Sequence, residues 1–221
     1  DTIRVENISF QPRQLIDEVA TLLKAEAEKK DLQFNLKYIS QLPRVMSSDP
    51  TRLRQILINV IGNAIKFTER GAVDVSVQLK GSKENQYKKI LQIEVKDSGI
   101  GISSEQRKKM FQPFTQADSS TKRLYGGTGL GLFLSKKLAK LLGGNLILGE
   151  SGLGKGSTFV FTAEVEVPEL EKIVTPPKNN NQPIKEALRG RVLVVDDVAD
   201  NRKLVGYHVA HLGFEVDQAD S

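Results

Sequence analysis

Residues 49–68 read DPTRLRQILINVIGNAIKFT, and this stretch decides the fold. Asp49 followed by Pro50 predicts an N-cap and a first helical residue, because a carboxylate takes up a free backbone N–H and proline has none to leave unpaired. Leu53, Ile56, Leu57, Val60, Ile61, Ala64 and Ile65 then recur at spacings that put them on one face of a long helix. The pattern predicts that this helix ends near Gly71. Beyond it the period drops to two. Val73, Val75, Val77 and Leu79 alternate with polar residues, a polar loop runs from Gly81 to Lys88, and Ile90 to Val95 return. A one-faced helix followed by a one-faced hairpin predicts helices layered on an antiparallel sheet.

Working outward, Leu15, Val19, Leu22 and Leu23 have helical spacing, and an extended stretch from Leu32 to Ile39 follows. After the hairpin the sequence predicts a short helix from Ser103 to Met110 and an irregular stretch to Gly126. A helix from about Gly129 to Leu142, capped by Gly143 and Gly144, and strands around Leu146 and over Phe159 to Val165 complete the unit. Helices and strands alternate without a regular βαβ rhythm, so the class is α+β, a two-layer α/β sandwich. Pro168, Pro176, Pro177, Pro183 and the asparagine run 179–181 mark a linker. After Gly190 the apolar run Arg191 to Val195 ends in Asp196 and Asp197. A helix from Val198 to about His211 and a strand from Phe214 follow, the opening of a doubly wound α/β domain. The expected divisions are residues 1–167, the linker 168–189 and the second unit 190–221.

The chain has 221 residues, room for one ordinary domain and a partial second. It contains no cysteine, which removes disulfides and thiolate metal sites and fits a reducing, cytoplasmic setting. No apolar run reaches the roughly 18 residues of a membrane span. Asp1 rather than methionine opens the chain, which points to a piece of a longer parent and leaves a membrane anchor in that parent open. Net charge is +5, but the bases alternate with acids, as in Lys24 to Lys30 and Arg52 to Lys66. Such mixing reads as a solvated surface rather than a nucleic-acid face, and an anionic small ligand is the better match.

Three clusters carry chemistry. On the long helix Arg52, Asn59, Asn63 and Lys66 share one polar edge, either a solvated face or a ligand edge on which asparagine oxygens suit Mg²⁺ and Lys66 suits a phosphate. Asp97-Ser98-Gly99-Ile100-Gly101 follows the return strand, either an ordinary turn or a carboxylate that accepts from an exocyclic amine beside glycines that admit a flat ring. Gly126, Gly127, Thr128, Gly129, Leu130 and Gly131 open a helix, where free amides and the positive dipole end make a phosphate cradle. Gly149 to Lys155 has the spacing of a P-loop, but Gly156 replaces the required Ser or Thr and a strand follows instead of a helix.

Taken together these clusters resemble the nucleotide-binding domain of histidine kinases, within the group that includes the DNA gyrase and mismatch-repair ATPases. The asparagine box is similar to Asn59 to Thr68, the first glycine box to Asp97 to Gly101, the phenylalanine box to Met110 to Phe114. The second glycine box is similar to Gly126 to Gly131 and the third to Gly152 to Phe159. The resemblance implies a Bergerat-type ATP-binding fold in which Asp97 reads the adenine amino group, Asn63 holds Mg²⁺ through the ATP phosphates, and Asn59 and Lys66 serve catalysis. It further implies nucleotide contacts from Gly99, Gly101, Ile102, Phe114, Leu130, Leu132 and Thr158, and a mobile lid over Thr115 to Tyr125 that carries Lys122, Arg123 and Tyr125. Hydrolytic members of the group carry Glu where this chain has Asn59. An amide cannot serve as general base toward water, which favours phosphate donation to a docked histidine. The same resemblance implies a dimeric parent with a histidine-bearing dimerisation domain upstream. Residues 190–221 resemble the opening of a response-regulator receiver domain, in which Asp196 and Asp197 would hold Mg²⁺ once the domain is complete. A receiver or phosphotransfer protein is the implied downstream partner. An ATP-sensing scaffold and a gyrase-type ATPase are the competing expectations, since both would also bind ATP.

Overall fold

The computed structural model describes residues 4–81, 87–114, 130–168, 190–195, 209 and 214–219. The chain divides into two compact units, Asp1–Ile173 and Val174–Ser221.

In the first unit the expected long helix is α2 (Pro50–Phe67), which follows β1 (Ile8–Phe10), α1 (Pro12–Glu28), β2 (Gln33–Tyr38) and β3 (Met46–Ser48). Asp49 caps α2 as its sequence predicts, its Oδ1 accepting from the Arg52 N–H at 3.0 Å. The helix stops at Phe67, short of Gly71. Thr68 is already extended, with φ −104° and ψ 123°, and its hydroxyl donates to the Ala64 carbonyl at 2.7 Å, taking up an acceptor that the next turn would otherwise use. Gly71, at φ +110°, then turns the chain into the sheet.

The hairpin is β4 (Ala72–Gly81) and β5 (Lys88–Asp97), paired antiparallel from Val73↔Asp97 to Gly81↔Lys89. After it come α3 (Ser104–Lys109), a helix α4 (Gly131–Leu141), β6 (Asn145–Ser151) and β7 (Ser157–Glu166). Ser103 and Gln106 form a reciprocal capping box on α3. The seven strands make one sheet in the order β1-β3-β7-β5-β4-β2, with β6 also on β7. All pairs are antiparallel except β2 with β4, which run parallel across the crossover that contains α2.

Strand alternation sends one set of side chains toward the helices. Val73, Val75 and Val77 of β4, Leu91, Ile93 and Val95 of β5, and Phe159, Phe161, Ala163 and Val165 of β7 are all buried. They meet Leu53, Ile56, Leu57, Val60, Ile61, Ala64 and Ile65 of α2 together with Leu15, Val19 and Leu23 of α1 and Leu138 of α4. Each of the larger side chains contributes about 1.5–3 kcal/mol on burial, so this single layer holds the unit together. The unit is the two-layer α/β sandwich that the sequence implies. Among the described residues no helix is long and apolar enough to cross a membrane.

In the second unit β8 (Arg191–Val195) and β9 (Glu215–Ala219) pair in parallel register, Arg191↔Glu215 to Val195↔Ala219. The helix expected over Val198 to His211 lies outside the described residues apart from Val209, which is helical.

Candidate functional site

Asp97 ends β5, on the face that packs toward the helices, and is 6% exposed. Its Oδ1 accepts from the Gly99 N–H at 2.9 Å and the Ser157 N–H at 3.2 Å. Burial pushes its carboxyl above the usual aspartate value, and these two backbone donors oppose the shift. Both bonds fall on one oxygen, and Oδ2 meets no donor among the described residues. A largely buried carboxylate with one oxygen bound by backbone and the other open suits an amine-bearing ligand.

Around Asp97 the backbone is packed too closely for side chains. Gly101 sits at φ +72°, and a Cβ there would run into the Gly152 carbonyl; one on Gly156, at φ +77°, would run into the Asp97 carbonyl. Gly99 lies against the Phe67 carbonyl in the same way. The Ile100 N–H donates to Phe67 O at 3.2 Å, the Gly154 N–H donates to Ile100 O at 2.8 Å, and the Ile102 N–H donates to Ser151 Oγ at 2.9 Å. The loop after β5 is thereby stitched to the end of α2 on one side and to the β6–β7 connection on the other.

From that junction α2 runs back through Lys66, Asn63 and Asn59, a line of about 10 Å at the helical rise. Asn63 Nδ2 donates to Asn59 Oδ1 at 3.4 Å, and Asn59 Nδ2 donates to Ser135 Oγ of α4 at 2.9 Å. Asn63 Oδ1 meets no donor among the described residues, and a hard neutral oxygen of this kind suits Mg²⁺. The Lys66 ammonium lies 5.3 Å from the Phe67 ring centroid. Gly131, at the start of α4, comes so near Asn59 that a Cβ would overlap Asn59 Oδ1. The asparagine edge, the Asp97 loop and the start of α4 therefore form one continuous surface.

The remaining expected contacts divide. Ile102 and Leu132 are half-buried against the core, and Leu130 is the residue before α4. Phe114 holds a left-handed φ of +60° and is 76% exposed. Thr158 lies on β7 out of phase with Asp97. It pairs with Lys96, whereas Ser157 pairs with Asp97, so strand alternation turns Thr158 to the sheet face away from Asp97 and turns Ser157 toward it. Ser157, not picked out from the sequence, is the buried neighbour of Asp97, and its hydroxyl lies 3.0 Å from Ser151 Oγ. Lys122, Arg123, Tyr125, Gly126, Gly127, Thr128 and Gly129 lie outside the described residues, as do Asp196 and Asp197.

A family model described as histidine kinase-, DNA gyrase B-, and HSP90-like ATPase matches residues 48–167, more than half of the chain. The chain belongs to that ATPase family. The match takes in α2, the Asp97 loop, α4 and β7, the elements that build the site. Among similar proteins, the signal transduction histidine-protein kinase BarA of Escherichia coli is 39% identical over 163 residues, 74% of this chain and 17% of BarA. Sensor histidine kinase AruS of Pseudomonas aeruginosa is 38% identical, over 90% of this chain and 19% of AruS. The chain thus spans about a fifth of the length of these curated relatives. Of solved structures, full-length ShkA in complex with AMPPNP aligns with a TM-score of 0.62 at 27% identity, covering 99% of this chain and 42% of ShkA. The catalytic domain of histidine kinase ThkA aligns with a TM-score of 0.56 at 27% identity, covering 74% of this chain and 99% of that domain. The ATPase fold is thus shared with histidine kinase catalytic domains.

Proposed function

We propose that this ATPase domain binds Mg-ATP and presents its γ-phosphate to a histidine on a separate dimerisation domain of a hybrid sensor kinase. The observation that carries the reading is Asp97, a buried carboxylate with one oxygen satisfied by backbone and the other open to a donor. Its open oxygen would accept from the adenine 6-amino group, on a loop that the glycines at 99, 101 and 156 hold tightly against neighbouring backbone. Asn63 would supply an oxygen to Mg²⁺, and Lys66 a positive charge to the phosphates. Mg²⁺ held there would neutralise charge on the transferred phosphoryl group. The glycines from Gly126 to Gly131 would cradle the phosphates at the start of α4, and Lys122 and Arg123 would close over them. Asn59 offers no carboxylate to deprotonate water, which supports donation to a protein acceptor over hydrolysis.

Residues 190–221 would open a receiver domain, with Asp196 and Asp197 as its metal pair. The parallel register of β8 and β9 supports this, since a doubly wound domain begins with such a pair. The parent would be a cytoplasmic or membrane-anchored dimer that passes phosphate to a receiver or phosphotransfer protein. Calorimetry with ATP and GTP tests the nucleotide reading. Guanine presents a carbonyl where adenine presents an amine and would face Asp97 lone pair to lone pair, so ATP should bind markedly tighter. Equal affinities would refute the assignment of Asp97.

A further inference from the structure

Ser135 lies one turn into α4 and takes part in none of the contacts that the proposed reaction requires. It is 2% exposed, among the buried Leu138 and Ala139 on the same helix. A buried hydroxyl in apolar surroundings carries a desolvation cost unless it is hydrogen-bonded, and the partner of Ser135 is Asn59 Nδ2 at 2.9 Å. Gly131 stands four residues earlier on the same face, and a Cβ there would overlap the other end of that amide, Asn59 Oδ1. Ser135 thus binds one end of the Asn59 side chain, and the missing side chain of Gly131 leaves room for the other.

The consequence passes to Asn63. With its amino end committed to Ser135, Asn59 turns its oxygen toward Asn63 Nδ2, 3.4 Å away and one turn along α2. An amide whose amino end is engaged presents its oxygen elsewhere. Were Asn59 to flip, two amino groups would face each other, and Asn63 would have to turn its own oxygen inward to meet Asn59. Ser135 therefore anchors the Asn59 amide against which the Asn63 side chain is set.

We propose that Ser135 is a positioning residue for the metal ligand: through Asn59 it holds Asn63 with its oxygen free for Mg²⁺. The inference rests on the reading of Asn63 as the Mg²⁺ residue. A serine that merely satisfies the core would affect stability and leave Asn63 alone.

The test is Ser135→Ala, read in two ways. In the chain without nucleotide or metal, the side-chain ¹⁵N–¹H resonances of both Asn59 and Asn63 should shift, whereas a purely packing role moves only those of Asn59. In a Mg²⁺ titration at fixed ATP, the half-saturating Mg²⁺ concentration should rise about tenfold, the low end for an outer-shell partner of a metal ligand. Affinity for ATP in EDTA should stay unchanged. In an Asn63→Ala background the Ser135 substitution should leave the Mg²⁺ titration where it was. Ser135→Cys, of similar volume and a weak acceptor, provides the same comparison if the alanine variant loses its cooperative unfolding. Unmoved Asn63 resonances with an unchanged Mg²⁺ titration, or an equal shift in the Asn63→Ala background, would overturn the proposal. A wild-type chain whose ATP binding ignores Mg²⁺ would instead overturn the metal reading, and the amide resonances would still judge the coupling between Ser135 and Asn63.

Discussion

Asp97→Asn separates recognition from folding in one substitution. The wild-type carboxylate accepts from Gly99 and Ser157 through Oδ1 and leaves Oδ2 for an incoming donor. An asparagine can keep the first role with its amide oxygen, but it then turns an N–H toward the adenine amine, donor against donor. The lost interaction is a charge-assisted hydrogen bond in a buried setting, worth about 1.5–3 kcal/mol, which corresponds to roughly a ten- to hundredfold weaker dissociation constant. Stability should move the other way. Burial raises the Asp97 pKa, so between the ordinary and the raised value the folded chain binds more protons than the unfolded one, and ionisation of Asp97 lowers stability as pH rises through that interval. Asp97→Asn carries no such charge. At neutral pH its nucleotide-free form should therefore unfold at or above the wild-type temperature, and the difference should shrink as pH falls toward the ordinary carboxylate range. Isothermal calorimetry with ATP and thermal unfolding across pH read the two effects. ATP affinity equal to wild type, or a clear loss of stability at neutral pH, would refute the reasoning.

Wild-type ATP affinity should itself decline on acidification, starting above the usual aspartate range, because protonation fills the acceptor that Asp97 offers; a pH series by calorimetry checks this. Thr158→Val should leave ATP affinity unchanged, since Thr158 faces away from Asp97, and a marked loss would mean that the strand phase is wrong. Gly101→Ala should cost at least about 2 kcal/mol in urea unfolding, a left-handed alanine alone accounting for about 1–2 kcal/mol and the overlap with the Gly152 carbonyl for the rest. Lys30→Met should lower stability by about 0.5–1 kcal/mol without altering nucleotide binding, because the exposed ammonium caps the α2 carbonyls of Ile65 and Lys66 at 2.9 and 3.0 Å.

The parts of the fold written in a long period are the parts that the sequence discloses. Seven apolar positions at helical spacing define α2, and four alternating apolar residues on β4 and three on β5 define the hairpin. β1 and β3 are three residues each, too short to carry a period, and their pairing depends on partners distant in sequence. The parallel pairing of β2 with β4 is likewise a matter of tertiary arrangement. At the site, Asp97, Asn59 and Asn63 are legible because their residue types break the surrounding pattern. The glycine-rich box from Gly152 to Phe159 takes in both Ser157 and Thr158, and the alternation of Phe159, Phe161, Ala163 and Val165 assigns the core-facing phase to Ser157. Ser135 left no comparable signal: a serine on an apolar helix face looks the same whether it satisfies a ligand's neighbour or only the core.

The central claim is that this domain readies the γ-phosphate for a histidine carried elsewhere. The direct measurement is incubation of the chain with γ-labelled ATP and Mg²⁺, alone and with an added histidine-bearing dimerisation domain from the same parent. The account predicts label on the added domain's histidine, none on this chain, and slow phosphate release when the chain is alone. Label on His208 or His211, the only histidines in the chain, or rapid phosphate release without a partner, would contradict it.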